Sequence, residues 1–296
     1  MQQQKSFEQH ETGTLYLVPT PIGNLADMTP RAVETLQQVP LIAAEDTRHT
    51  QKLLNYFDIH TKQTSFHEHN WQNKRTELID HLLAGHDLAQ VSDAGMPSIS
   101  DPGKELVAAA VDNNIVVVPI PGPTAGVTAL IASGLVPQPF YFYGFLSRKK
   151  SEQLEELRQL STFRDTVVFY EAPHRIKTTL QHMQKVMGDE RRVVLARELT
   201  KRYEEFLRGT LAELVSWASS NEIRGEFVVM LSGYTGDITA VDQVNDEEMV
   251  AILPVDAVKQ LIEAGEKPNV AIKQVAKQRG LARQDVYNQY HGLEGK

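Results

Sequence analysis

The chain has 296 residues, 41% of them hydrophobic and 23% charged, with a formal net charge of −8. That is ordinary for a soluble globular protein and long enough for about two domains, and it argues against a polycation that coats nucleic acid wholesale, while leaving local basic surfaces open. No apolar run approaches the ~18 residues of a membrane span; the opening MQQQKSFEQHETG lacks the apolar core of a secretory signal; and the absence of cysteine excludes disulfides, thiolate nucleophiles and thiolate metal sites.

These features predict a cytoplasmic protein with no membrane partner, in which residues 1–12 form a frayed polar lead-in. Apolar, β-branched-rich runs then predict strands at Thr14–Val18, Leu41–Ala44, Leu88–Val91 and Ile115–Ile120. Between them, Thr29 and Pro30 form a helix start, with Val33 and Leu36 continuing it. Leu53, Leu54 and Phe57 share one face of the next helix, and Leu78, Ile79, Leu82 and Leu83 one face of the helix after that. Alternating strand and helix over 13–121 imply a largely parallel sheet covered on both sides.

The prolines and glycine at 119–123 break regular structure and suggest a hinge into a second α/β domain, 122–236. Its predicted strands are Phe140–Phe145, Thr166–Tyr170, Val193–Arg197 and Glu226–Ser232, and Arg202–Gly209 is a candidate antiparallel addition. Its predicted helices are Ser151–Leu160, Arg175–Met187 and Thr210–Ser219. Residues 237–247, acidic and without a basic side chain, read as a solvated linker. The tail, 248–296, reads as three short helices at Pro254–Ala264, Asn269–Gln278 and Ala282–Tyr290. The last two suit either a helix-turn-helix or a small packing bundle. The fold class is therefore α/β, in two domains, with a small helical domain after them.

In an open parallel sheet, ligands collect outside the carboxyl ends of the strands. The segments at those ends are "PTPIGNLADMTP", "EDTRHT", "VSDAGMPSISDPG", "PGPTAG" and "EAPHR", all small, polar or glycine-bearing. Five such loops on one rim point to a shared crevice. No G-x-G-x-x-G follows the first strand and no G-x-x-x-x-G-K-[ST] occurs, so the phosphate cradles of dinucleotide and P-loop sites are missing. Asp93 and Asp101 could accept hydrogen bonds from hydroxyls or an ammonium. A zwitterionic adenosyl ligand suits this rim better than a polyphosphate. "HEH" at 67–69, read as an extended segment, invites a metal, but no third ligand is predictable, so no metal site is expected. Glu45 and Asp46 could position Arg48 or cap the next helix, with capping favoured. Basic clusters at Arg148–Lys149–Lys150, across Arg191–Arg208, and at Lys273, Lys277, Arg279 and Arg283 are each either solvated faces or nucleic-acid contacts.

Taken together, "GTLYLVPTPIGNLADMTPRA", "AAEDTRHTQKLL", "SFHEHN", "VSDAGMPSISDPG", "PIPGPTA", "YGFLSRKK", "VVFYEAPHRI", "ARELTKRYEEFLRGT" and "GEFVVML" resemble the ribosomal RNA small-subunit methyltransferase I family, a branch of the tetrapyrrole-methylase-like S-adenosylmethionine enzymes. The resemblance runs from about Gly13 to Ser232 and on into the tail; Ser147 stands where the family usually has proline. It implies a cofactor, S-adenosylmethionine, bent in a cleft between two α/β domains, and methylation of a cytidine ribose 2'-hydroxyl in small-subunit rRNA, free or in the assembled subunit. It also implies a homodimer. Carried over, the cofactor-binding positions are Pro21, Gly23, Asn24, Ser92, Asp93, Ala94, Gly95, Met96, Ser98, Thr124, Ala125, Tyr170, Gly225 and Glu226. A ribose hydroxyl is a poor nucleophile, so a base or a polarising cation is needed. By type and rim position the candidates are Lys149, Lys150, Glu171 and Arg175, with His174 and Arg197 beside them, and the proton acceptor is left unassigned. Arg175 could instead pair with Glu171, and Arg197 with Glu198. Expected RNA contacts are Arg48, Arg148, Lys149, Lys150, Arg202, Lys273, Lys277, Arg279 and Arg283. A tetrapyrrole carbon methylase and a non-catalytic RNA-binding assembly factor are the alternative readings.

Overall fold

The computed structural model describes residues 1–8, 10–236, 253–263 and 265–292. The predicted linker, 237–247, lies outside the described residues. The first sheet comprises β1 (Thr14–Leu17), β2 (Leu41–Ala44), β3 (Lys62–Ser65), β4 (Leu88–Val91) and β5 (Val116–Pro119), in the order β3-β2-β4-β1-β5. Every pairing in it is parallel. All its carboxyl ends therefore point the same way. Side chains alternate between two cores: Tyr16 and Val18 go with Ile42 and Val91, whereas Leu15 and Leu17 go with Ala43 and Leu88. Helices α1 (Pro30–Gln38) and α2 (Thr47–Tyr56) cover the first face, and α3 (Trp71–Leu83) and α4 (Gly103–Asp112) the second. At the start of α1, the Thr29 hydroxyl accepts from the Ala32 amide at 3.2 Å and Pro30 occupies the first turn, as the sequence predicts.

β3 is an addition to the predicted strands. Its sequence, KQTS, carries no apolar pattern because it forms the sheet edge and pairs only with β2. The lead-in read as frayed is held at two points. The Gln4 side chain bonds both the amide and the carbonyl of Val117, at 3.0 and 2.9 Å, and Gln2 reaches the Val111 carbonyl at 3.0 Å.

After α5 (Ala125–Ser133), the second sheet comprises β6 (Phe140–Phe145), β7 (Thr166–Glu171), β8 (Arg192–Arg197), β9 (Glu205–Thr210) and β10 (Phe227–Leu231), in the order β6-β7-β10-β8-β9. Only β6 and β7 are parallel, joined by the crossover α6 (Lys150–Ser161). The remaining pairs are antiparallel, with β9 supplying the predicted extra strand. One face packs on α6, α7 (Ile176–Met187) and α8 (Leu211–Ser220). The other packs on α5 and, from the first unit, on Ile22. α8 opens with a capping box, in which Thr210 and Glu213 each satisfy the other's amide.

The described tail is three helices, α9 (Pro254–Glu263), α10 (Pro268–Gln278) and α11 (Arg283–His291), around a core that includes Val258, Ile272, Val275 and Val286. No helix among the described residues is long and apolar enough to cross a membrane.

Candidate active site

A cavity of about 450 Å³ lies where the carboxyl ends of the first sheet meet the α5-side face of the second. The loops of the first unit form one wall, and their positions are set by mutual hydrogen bonds. After β1, Thr20 exchanges two main-chain bonds with Gly95, at 3.1 and 3.0 Å, and its hydroxyl donates to the Ser92 carbonyl at 3.1 Å. After β4, Asp101 gathers the loop: it accepts from the amides of Ser98 and Gly103, both at 2.7 Å, and from the Gln90 side-chain amide at 3.1 Å. Burial pushes the Asp101 carboxyl up. A Cβ at Gly103 would fall 1.6 Å from the Gln90 amide nitrogen and displace the Gln90 and Asp101 side chains that hold this loop.

After β2, Glu45 accepts from the Asp93 amide at 3.1 Å, and Asp93 in turn accepts from the Asp46 amide at 3.1 Å. Asp46 caps α2 through the Arg48 amide, at 2.8 Å, and also pairs with the Arg48 guanidinium at 2.8 Å. Both roles weighed for Asp46 therefore hold at once, whereas Glu45 caps nothing and faces the cavity. Burial, reinforced by the charges of Asp93, Asp101 and Asp46, raises the Glu45 carboxyl, and the Asp93 amide offsets only part of this.

The second unit supplies a smoother wall: Phe145, Tyr170, Ala196, Leu199, Phe227 and Val228. The Tyr170 hydroxyl accepts from the Gly126 amide at 3.0 Å, tying β7 to the start of α5. Glu171, 3% exposed, also lines the cavity. Three donors hold its carboxylate: the Ala172 amide at 2.9 Å, Arg175 Nε at 3.2 Å and the Thr179 hydroxyl at 2.6 Å. Lys201 bridges Glu198 and Glu226, at 2.9 and 3.0 Å. It also supports the β1 loop, because a Cβ on Gly23 would sit 2.5 Å from Lys201 Cγ.

Of the residues expected at the site, Ser92, Ala94, Gly95, Met96, Thr124, Ala125, Tyr170, Glu171 and Glu226 line this cavity. Pro21, Gly23, Asn24, Asp93, Ser98 and Gly225 do not line it. Asn24 caps the short turn Leu25–Asp27, and Asp93 clasps two loops. Ser98 takes the left-handed conformation, with φ 70°, that turns the β4 loop. Lys149, Lys150 and Arg175 do not line the cavity. Lys149 is exposed and pairs with Glu152 at 2.8 Å, and Arg175 donates to the Leu146 and Ser147 carbonyls at 3.0 and 3.1 Å besides pairing with Glu171.

Two sequence expectations are corrected. "HEH" sits in a turn, not an extended segment, with the rings of His67 and His69 5.9 Å apart. Arg197 pairs with Glu205 at 3.3 Å and the Arg224 carbonyl at 2.6 Å, leaving Glu198 to Lys201. Within the cluster from Arg191 to Arg208, Arg191 holds the Ser161 and Ser232 carbonyls and Arg208 those of Ala132 and Ser133, while Arg192, Arg202 and Arg208 are exposed. Arg48, Arg148, Lys149, Lys150, Arg202, Lys273, Lys277 and Arg283 are exposed, and Arg279 is half-buried. Wall residues absent from the sequence reading include Ile22, Phe145, Ala172, Ala196 and Lys201. Ile22 and Ala172 lie inside loops already singled out, whereas Ala196 lies mid-strand and carries no local mark.

Residues 14–215 match the tetrapyrrole (corrin/porphyrin) methylases. The chain is 53% identical over 294 residues to the Streptococcus pyogenes (serotype M18) protein named ribosomal RNA small subunit methyltransferase I, covering 99% of this chain and 100% of that one. It is 47% identical over 294 residues to the Bacillus subtilis protein of the same name, covering 98% and 99%. The fold is shared, at a TM-score of 0.53 and 18% identity, with uroporphyrin-III C-methyl transferase from Thermus thermophilus, solved in complex with S-adenyl homocysteine, over 74% of this chain and 97% of that one. The chain belongs to the tetrapyrrole methylase family, within the branch of the ribosomal RNA small subunit methyltransferase I proteins.

Proposed function

We propose that this protein is a cytoplasmic enzyme that transfers the methyl group of S-adenosylmethionine to the ribose 2'-hydroxyl of a cytidine in small-subunit ribosomal RNA. The observation that carries the reading is the cavity itself, walled by loops that the sequence scatters and the hydrogen bonds gather. The full-length similarity to the rRNA small subunit methyltransferase I proteins selects RNA over a tetrapyrrole as acceptor.

The residues present fit the methyl donor. Ala94, Gly95, Ala125, Ala172 and Ala196 keep the walls shallow, and carboxylates from Asp101, Glu171 and Glu226 suit a ligand bearing an ammonium and a sulfonium. Ser92–Met96 and Thr124–Ala125 would hold its polar parts, with Tyr170, Ala196 and Val228 against its apolar ones. When bound, it supplies a methyl carbon on positively charged sulfur. The protein's task is then to align the acceptor oxygen and take its proton, and orientation alone contributes several kcal/mol.

We assign the proton to Glu45. Glu171 has both oxygens taken by donors, whereas Glu45 takes a single main-chain donor and its carboxyl is raised by burial, which strengthens it as a base. Exposed Arg48, Arg148, Lys149, Lys150, Arg202, Lys273, Lys277 and Arg283 provide phosphate contacts. Homodimerisation would cover the apolar surface carried by Val127, Ile131, Val136 and the free edge of β6.

The test is incubation with labelled S-adenosylmethionine and either small ribosomal subunits lacking the modification or uroporphyrinogen III. Label recovered as 2'-O-methylcytidine is expected; label in the macrocycle alone, or in neither, overturns the reading.

A further inference from the structure

A second cavity, of about 380 Å³, adjoins the first. The two share a partition made by Glu45, Ile99, Ser100 and Asp101. Beyond it, the second cavity is walled by Trp71 from the start of α3, Glu68 from the turn before it, and Lys104 and Glu105 from the first turn of α4. Its size falls in the range of small-ligand sites, ~300–1,000 Å³. The donor loops leave no role for it, and its chemistry differs from theirs.

We infer that this cavity receives the base of the nucleotide being methylated, with cytosine selected over uracil by the carboxylates of Glu68 and Glu105. The inference rests on the function proposed above. Methyl transfer requires the 2'-oxygen to come within about 3–3.5 Å of the methyl carbon. The base is attached to the neighbouring carbon of the same sugar, so a ribose at the partition places its base about one sugar's width from the donor. The second cavity occupies that position.

Its lining matches a pyrimidine that bears an amine. Single-stranded RNA is read by stacking bases on aromatic rings and by bonding their edges. Trp71 offers the ring, and Arg75 rests over the indole at 5.3 Å from its centre, which fixes its orientation. Cytosine presents its exocyclic amine as a donor, and a carboxylate is its natural acceptor. Uracil presents a carbonyl at the same place, which would face a carboxylate unpaired. Ile99, 52% exposed in the free chain, would be covered by the incoming nucleoside. Lys104 is the one cation in this wall among the described residues, and it could donate to the carbonyl that both pyrimidines carry.

The experiment compares wild type with the Glu68→Gln/Glu105→Gln double variant on an rRNA substrate whose target position, mapped with the wild type, carries cytidine or uridine. Two quantities are read: equilibrium affinity for each RNA without methyl donor, and kcat/KM for each with it. The wild type should prefer cytidine by at least about tenfold, and the double variant should lose most of that preference while binding S-adenosylmethionine as before. An unchanged preference overturns the inference, as does an equal loss on both RNAs, which would make these residues structural. If the double variant fails to fold, Glu68→Gln alone decides, because Glu68 lies exposed in a turn. A wild type that methylates no rRNA defeats the proposed function first, and is thereby told apart from a failure of the base pocket alone.

Discussion

The two units meet at one cavity yet contribute to it by different means. The first brings loops at the ends of parallel strands, locked by carboxylate-to-amide bonds: Glu45 with Asp93, Asp93 with Asp46, and Asp101 with Ser98 and Gly103. The second brings mainly the side of a mixed sheet, where Ala196 and Val228 present a flat apolar surface and Tyr170 is braced on Gly126. Chemistry therefore belongs on the first side and shape on the second. A parallel sheet places every strand's exit loop at the same end, so polar groups can converge there, whereas antiparallel neighbours send alternate loops to opposite ends.

The largest expected effect comes from removing the base on the first side. Glu45→Gln keeps an acceptor for the Asp93 amide but takes no proton, so kcat should fall by about 10²- to 10⁴-fold with S-adenosylmethionine affinity unchanged by calorimetry. The pH profile sharpens the test. Wild-type turnover should decline on acidification through a midpoint above the ordinary glutamate value, and the variant should lack that limb. Stability carries the opposite sign. Because the folded-state carboxyl is raised, protonation favours the fold; that contribution is complete below the unfolded value and is lost as pH rises through the raised one. Glu45→Gln should therefore melt no lower than wild type at neutral pH. A full loss of donor binding, or an unaltered profile, would move the chemistry off the first side.

An intermediate effect is expected from the smooth wall. Ala196 is 1% exposed and faces the cavity, so Ala196→Leu should fill donor space and weaken S-adenosylmethionine binding by about 10- to 100-fold, at a stability cost of about 1–3 kcal/mol from overpacking. If affinity survives while Tm drops, the second unit is scaffold only. The smallest effect belongs to the surface of that unit. Lys149→Ala/Lys150→Ala should leave donor affinity unchanged and raise KM for RNA by a few-fold, with a shallower salt dependence, since each exposed cation contributes one phosphate contact at most.

Much of this was legible before any coordinates. The strands Leu41–Ala44 and Leu88–Val91 coincide with the apolar runs, because buried strands must be apolar. β3 was hidden because an edge strand needs no such run. Loop composition pointed to the residues from Ser92 to Met96, since small residues at strand ends are visible in one dimension. It did not point to Ala196, an alanine in mid-strand, nor to the direction in which Glu45 faces. Lys149, Lys150 and Arg175 were singled out by residue type and loop position; the structure pairs Lys149 with Glu152 and seats Arg175 on the carbonyls of Leu146 and Ser147, none of the three lining the cavity.

By itself the sequence determined the apolar strands and most helices, the rim that carries the loops and the family to which the chain belongs, because hydrophobic period, turn chemistry and ordered motifs are properties of neighbours along the chain. Only the tertiary structure decided which carboxylates share a partition, that Asp93 clasps the loops after β2 and β4, and that a second cavity opens beside the first. Those facts depend on distances between Glu45, Asp93 and Asp101, residues brought together by the pairing of β2 with β4, and no local pattern encodes such a distance.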